Sequence, residues 1–159
     1  MKTYAAERVL VTRKALSALT LLAASLLLSL ITAGAASRFP IEFGWAHTVD
    51  AEPITGVTAQ RPIVQAELVR ADHPTFYGYS EKTVAIKYAG GFTLRVGIAD
   101  QANLLARYTG GDASVLSGAM VGADQLRQKA VAVDVPNACN GKGRVMLFAN
   151  NPILSLIHI

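Results

Sequence analysis

Apolar and polar positions change their period along the 159 residues of this chain, and the changes mark its elements. Residues 15–33 carry no charge and are broken only by Ser17, Thr20, Ser25, Ser29 and Thr32. Periodicity leaves two readings of such a run open: an export signal, or a buried helix over 15–25 followed by a buried strand over 28–32 that ends at Gly34. Residues 39–45, apolar and aromatic but interrupted by Pro40 and Gly44, read as a packed loop. Residues 50–58, with Pro53 and Gly56, read as surface loop. Alternation over 63–69 predicts a strand, and Asp72-His73-Pro74 predicts a turn, because the residue before proline is pushed out of the helical region. Residues 83–88 and 92–98 are β-prone around Ala89-Gly90-Gly91, which predicts a hairpin. Residues 102–108 fit a strand or a short helix, 110–112 a loop, 115–119 a short strand and 123–129 a short helix. The clearest unit comes last. Residues 131–135 alternate up to Pro136, 144–149 are apolar and β-prone, and Asn140-Gly141-Lys142-Gly143 between them tolerates positive φ. Two antiparallel strands are expected there. The expected class is mixed α/β, β-rich after residue 61, with an apolar N-terminal helix and only part of a domain present.

Composition sharpens this picture. A hydrophobic fraction of 52% is enough for a real core, and the length fits one domain or a piece of a larger one. The formal charge of +4 invites a nucleic-acid reading that its distribution excludes. Lys2, Arg8, Arg13, Lys14 and Arg38 face only Glu7, whereas from Phe39 onward cations and carboxylates balance. A nucleic-acid surface needs clustered positive charge on the folded part. Here the excess flanks the apolar run instead. With Gly34-Ala35-Ala36-Ser37 after the run, the layout is that of an export signal over residues 1–36, which implies an extracytoplasmic protein, secreted or periplasmic. The run is also near the length of a membrane-spanning helix. Its serines make it a weak anchor, so membrane contact is expected only through residues 15–33 if they stay uncleaved. One cysteine, Cys139, excludes an internal disulfide.

The end of the chain, Leu154-Ser155-Leu156-Ile157-His158-Ile159, back-translates as CTG TCT CTT ATA CAC ATC. That string is the recognition end of a transposase used in library preparation. Residues 154–159 therefore read as a cloning scar, with a short apolar strand as the alternative. On the scar reading, residues 37–153 are a fragment of an accessory C-terminal domain.

Candidate chemistry is sparse. Gly141-Lys142-Gly143-Arg144 looks like a phosphate loop, but no Ser or Thr follows the lysine and a strand is expected where a helix is needed. A plain turn is the better reading. His47-Thr48-Val49-Asp50 has a His-x-x-acid spacing, yet zinc needs at least three protein ligands and no second pair is spaced to help. His47 and His73 are expected to be polar loop residues. Tyr77 and Tyr79, near Asp72 and His73, are expected to be half-buried sheet residues with hydrogen-bonded tips. Arg95 and Arg107 could pair with carboxylates, with solvated charge as the plainer reading, and Cys139 reads as an ordinary loop thiol. No catalytic, cofactor-binding or metal-ligating residue is assigned.

Three stretches together resemble a family. They are Phe39-Pro40-Ile41-Glu42-Phe43-Gly44; Arg61-Pro62-Ile63-Val64-Gln65-Ala66-Glu67 with His73-Pro74-Thr75-Phe76-Tyr77-Gly78-Tyr79; and Val133-Asp134-Val135-Pro136 with Gly141-Lys142-Gly143-Arg144-Val145-Met146-Leu147-Phe148-Ala149-Asn150-Asn151-Pro152. They are similar to the C-terminal region of large secreted zinc carboxypeptidase-like proteins of the M14 class. In those proteins a catalytic domain is followed by a glutamine-amidotransferase-like α/β domain and β-rich segments. The family's zinc motif, His-x-x-Glu with a distant His, has no counterpart here, since Asp50 follows His47. The resemblance implies a non-catalytic accessory part whose parent holds zinc and whose partner is the absent catalytic domain. The alternative is a self-contained exported or membrane-anchored binding domain.

Overall fold

The computed structural model describes residues 29–150. The expected helix over 15–25 and the suspected scar over 154–159 lie outside the described residues. The fold is mixed and β-rich, as expected, but strands begin well before residue 61. Eleven are described: β1 Ser29–Ala33, β2 Val49–Pro53, β3 Thr58–Ala59, β4 Ile63–Leu68, β5 Thr83–Lys87, β6 Phe92–Val96, β7 Leu104–Tyr108, β8 Val115–Ser117, β9 Met120–Val121, β10 Ala130–Asn137 and β11 Gly143–Phe148. Nine form one sheet whose main path runs β1-β11-β10-β7-β4-β5. Off that path β6 joins β2 to β10, β8 pairs with β4, and β3 and β9 make a separate ladder.

The final pair folds as its pattern predicts. Val133 lies opposite Leu147 and Val135 opposite Val145 in antiparallel register. Cys139, Asn140 and Gly141 all have positive φ, so the connection is a left-handed turn. What alternation did not reveal is that β10 is central, with Ala130 to Val135 all buried. Pro136 continues the strand past the last registered pair, where no ladder hydrogen bond is needed from it. β1 lies parallel to β11, Ser29 opposite Arg144 and Ala33 opposite Phe148. A strand therefore occupies the last five residues of the apolar run, in line with the strand reading of 28–32.

The hairpin expected between 83–88 and 92–98 does not form. Both strands exist, but β5 pairs with β4 and β6 with β2. Gly90 and Gly91, at φ 80° and 104°, let the chain leave one ladder and enter another. Local propensity marks a strand without naming its partner. For the same reason the loop expected over 50–58 is half strand. Val-Asp-Ala-Glu-Pro is a poor strand former, and β2 exists because β6 pairs with all five residues. The loop expected over 39–45 contains a short helix, α1 (Arg38–Glu42), closed by the Pro40 carbonyl, which accepts from the backbone N–H of Trp45 and Ala46. The segment 102–108 resolves into a 3-10 helix, Ile98–Asn103, and strand β7. The helix expected over 123–129 is a 3-10 turn, Ala123–Leu126. The loop at Gly110 is obligatory. Gly110 has φ 69°, and a Cβ there would lie 2.4 Å from the Arg127 Cα.

Two apolar clusters share β7, β10 and β11. Val145 and Leu147 project into one, with Val133, Val135, Val49, Phe92 and Leu94. Phe148 projects into the other, with Val64, Leu105, Tyr108, Leu126 and Phe76, and Met146 packs against that side. The period of two along β11 explains the division.

Candidate functional site

The densest polar chemistry is built on β10. Asp134 is 1% exposed and shares the Met146 side of the strand pair. Its neighbours Val133 and Val135 point the other way, so the carboxylate is delivered into an apolar layer and needs partners there. The β4–β5 loop supplies one. His73, also buried, stands before the 3-10 turn Pro74–Phe76. Its Nε2 lies 3.2 Å from Asp134 Oδ2. The Thr75 backbone N–H donates to His73 Nδ1 at 3.3 Å, and the Thr75 Oγ1 is 2.9 Å from the same nitrogen. Since Nδ1 accepts from that backbone N–H, the proton of the neutral ring sits on Nε2 and points at Asp134. Asp134 Oδ1 faces Arg144 Nε at 3.1 Å, an ion pair whose angles fall outside those of a directed hydrogen bond.

In chemical terms this is a hydroxyl, an imidazole and a carboxylate in line, the order used by hydroxyl nucleophiles. The local geometry gives these groups a different job. His73 Nδ1 caps the turn, and Nε2 ties the β4–β5 loop to the central strand. A second polar insertion lies in the same cluster. Tyr108 is fully buried, its hydroxyl accepts from Asn150 Nδ2, and its ring meets Tyr88 edge-on at 6.2 Å. Burial pushes the Tyr108 hydroxyl pKa well above its ordinary value, and the Asn150 hydrogen bond acts in the opposite sense.

The remaining candidates are dispersed. His47 is exposed, as expected of a loop residue, whereas His73 lies in a loop, as expected, but is buried there as a tie to the sheet. Tyr77 is 94% exposed and Tyr79 lies outside any strand, so neither is a half-buried sheet residue. The turn at Pro74–Phe76 turns Phe76 inward in their place. Arg95 and Arg107 are paired, with Asp50 at 2.6 Å and Glu67 at 2.9 Å. Each pair faces across neighbouring strands, a contact that only register reveals. Lys142 is exposed in the turn and a strand follows it, so the phosphate-loop likeness ends there. Cys139 is partly buried against the apolar cluster. Among the described residues no three His, Cys, Asp or Glu side chains converge as a metal site would require. Compared with protein-family models, curated proteins and solved structures, the chain matches none.

Sequence reasoning missed Asp134 and Thr75. One signal for Asp134 was available: a single carboxylate inside the apolar run Ala130-Val131-Ala132-Val133-Asp134-Val135 demands a buried partner.

Proposed function

We propose that this chain is a non-catalytic accessory domain, structural in role, of an exported zinc carboxypeptidase-like protein. The His73–Asp134 contact carries the reading. Both imidazole nitrogens and both carboxylate oxygens are turned on neighbouring protein groups, so the best-placed acid–base pair is spent on holding a loop to the sheet. The M14-like stretches support the choice of parent, whose zinc and catalytic domain would be encoded elsewhere. Exposed Phe39, Phe43 and Tyr77 support the alternative, a self-contained exported or membrane-anchored binding domain.

Two measurements test the proposal. The purified chain is expected to bind no zinc stoichiometrically and to release no C-terminal residue from peptides. Tight one-to-one zinc binding that disappears in His47→Ala would overturn it. Sequencing outward from unamplified DNA is expected to find a His-x-x-Glu domain encoded upstream. A start at Met1 with a stop soon after Phe148 would select the alternative.

A further inference from the structure

We propose that the Pro74–Phe76 turn is a proton-operated switch built on His73. A proton gained at Nδ1 exchanges the turn's backbone cap for a contact with the Thr75 hydroxyl, and Asp134 keeps the loop on the sheet throughout. In the neutral ring the Nδ1 lone pair accepts from the Thr75 backbone N–H at 3.3 Å. Imidazole is the side chain that changes charge between about pH 5 and 8, and both ring nitrogens of its cation are donors. A proton taken from solvent forms an N–H bond at Nδ1 and consumes that lone pair. Two N–H groups then face each other, and the Thr75 amide loses its acceptor. Thr75 Oγ1, 2.9 Å from Nδ1, is placed to accept from the new N–H. The hydroxyl's own proton has somewhere to go, since Met146 Sδ lies 4.0 Å away. Thr75 is exposed, which gives protons a route to the buried ring.

The contacts that survive make this a switch of the turn and not a release of the loop. Nε2 is a donor in both charge states, and its 3.2 Å contact with Asp134 Oδ2 becomes an ion pair. Arg144, the other cation on this carboxylate, has a side chain 56% exposed and is free to turn to water. The remaining charged and titratable groups nearby are paired elsewhere or lie in solvent. On β7, Arg107 faces Glu67 of β4, and Tyr108 meets Asn150. Within the loop, Arg70 donates to the Ala102 carbonyl at 3.5 Å, and Asp72, Glu81 and Lys82 are exposed. What the turn governs is the backbone that follows it. The Tyr77 N–H donates to the Pro74 carbonyl at 3.2 Å, and the Tyr79 N–H to the Phe76 carbonyl at 3.0 Å. Tyr77, the most exposed ring of the loop, is therefore presented differently in the two charge states. The inference does not depend on the parent being a peptidase.

The test is an NMR titration of the full chain from about pH 8 to 5, read at the His73 ring nitrogens and at the Thr75 amide. At the alkaline end Nε2 is expected to carry the ring proton. On acidification the Thr75 amide should lose at least about tenfold in hydrogen-exchange protection, corrected for its intrinsic rate, along the same curve as the ring. The amides of β10 should keep theirs. Thr75→Val retains the backbone cap and deletes the hydroxyl that takes the new N–H, so its ring should titrate at lower pH than in wild type. A ring that gains no proton over this range would overturn the proposal. So would a proton already on Nδ1 at the alkaline end, or Thr75 protection that ignores the ring's titration. Protection lost along the whole loop would overturn it too, because the tie to Asp134 would have failed in place of the cap. An unchanged ring titration in Thr75→Val would exclude the hydroxyl from the exchange and sink the proposal as well. The amide and ring readings need only the wild-type chain, so a folding defect in the variant does not blunt the test.

Discussion

The two apolar clusters are built on the same strands and solve different problems. The cluster around Val133, Val145 and Leu147 is stabilised by burial and close packing of apolar side chains. The cluster around Tyr108, Phe148 and Leu126 holds two polar insertions, His73 against Asp134 and Tyr108 against Asn150. In the first, any hydrophobic side chain of the right volume will serve. In the second, each polar atom depends on a particular partner, and that dependence gives the β4–β5 loop a single docking position. The difference teaches where specificity resides in this fold: in the groups that are costly to bury when alone.

The comparison is broken first on the apolar side. Leu147 is fully buried, and Leu147→Ala should cost about 4 kcal/mol, in the upper part of the range for Leu→Ala. Urea unfolding with an unchanged slope would measure it. A cost below about 1 kcal/mol would mean that the cluster collapses around the gap and is not closely packed.

On the polar side, His73→Ala should cost about 3 kcal/mol, because it leaves a buried carboxylate with only Arg144 and uncaps the Pro74–Phe76 turn. The His73→Leu/Asp134→Leu double variant should recover most of that loss, since replacing both partners by apolar groups removes the unpaired charge. Equal destabilisation by the single and double variants would show that the contact matters for shape alone, and the contrast between the clusters would vanish.

Sequence patterns disclosed these two regions unequally. The β10–β11 pair was legible because alternation, a turn rich in Asn and Gly, and the following apolar run are all local. Val133, Val135, Val145, Leu147 and Phe148 are buried as that pattern requires, and Lys142 and Arg144 remain on the outside. The strands 83–88 and 92–98 were legible as strands but not as partners of β4 and β2, because pairing is settled by packing across the sheet. His73 and Asp134 are 61 residues apart, and no local pattern joins them. The aromatic cluster was misread as a packed loop. The sequence shows its rings, but the positive φ of Gly44 and the closing bonds to the Pro40 carbonyl decide that two of them face outward.

The smallest expected effect sharpens the comparison through pH. Tyr108→Phe removes the acceptor of the Asn150 Nδ2 hydrogen bond inside the polar cluster, where Asn150 Oδ1 already lacks a partner. The cost near neutrality should be about 1–2 kcal/mol. That cost shrinks at alkaline pH. Burial holds the Tyr108 hydroxyl protonated in the fold, with its pKa above the ordinary value of 10.0, while the unfolded chain ionises at that value. Above about pH 10 the unfolded state therefore binds fewer protons, and wild-type stability falls by about 1.4 kcal/mol per pH unit for each such tyrosine. Tyr88, whose pKa burial also raises, contributes in the same direction and survives the substitution. Urea unfolding stepped through the alkaline range should thus give Tyr108→Phe a shallower decline than wild type, and the two curves should converge as pH rises. Parallel curves would mean that the Tyr108 hydroxyl ionises as readily in the fold as in the open chain. The polar cluster would then be wet at its centre, and only the Val133–Leu147 side would be a dry core.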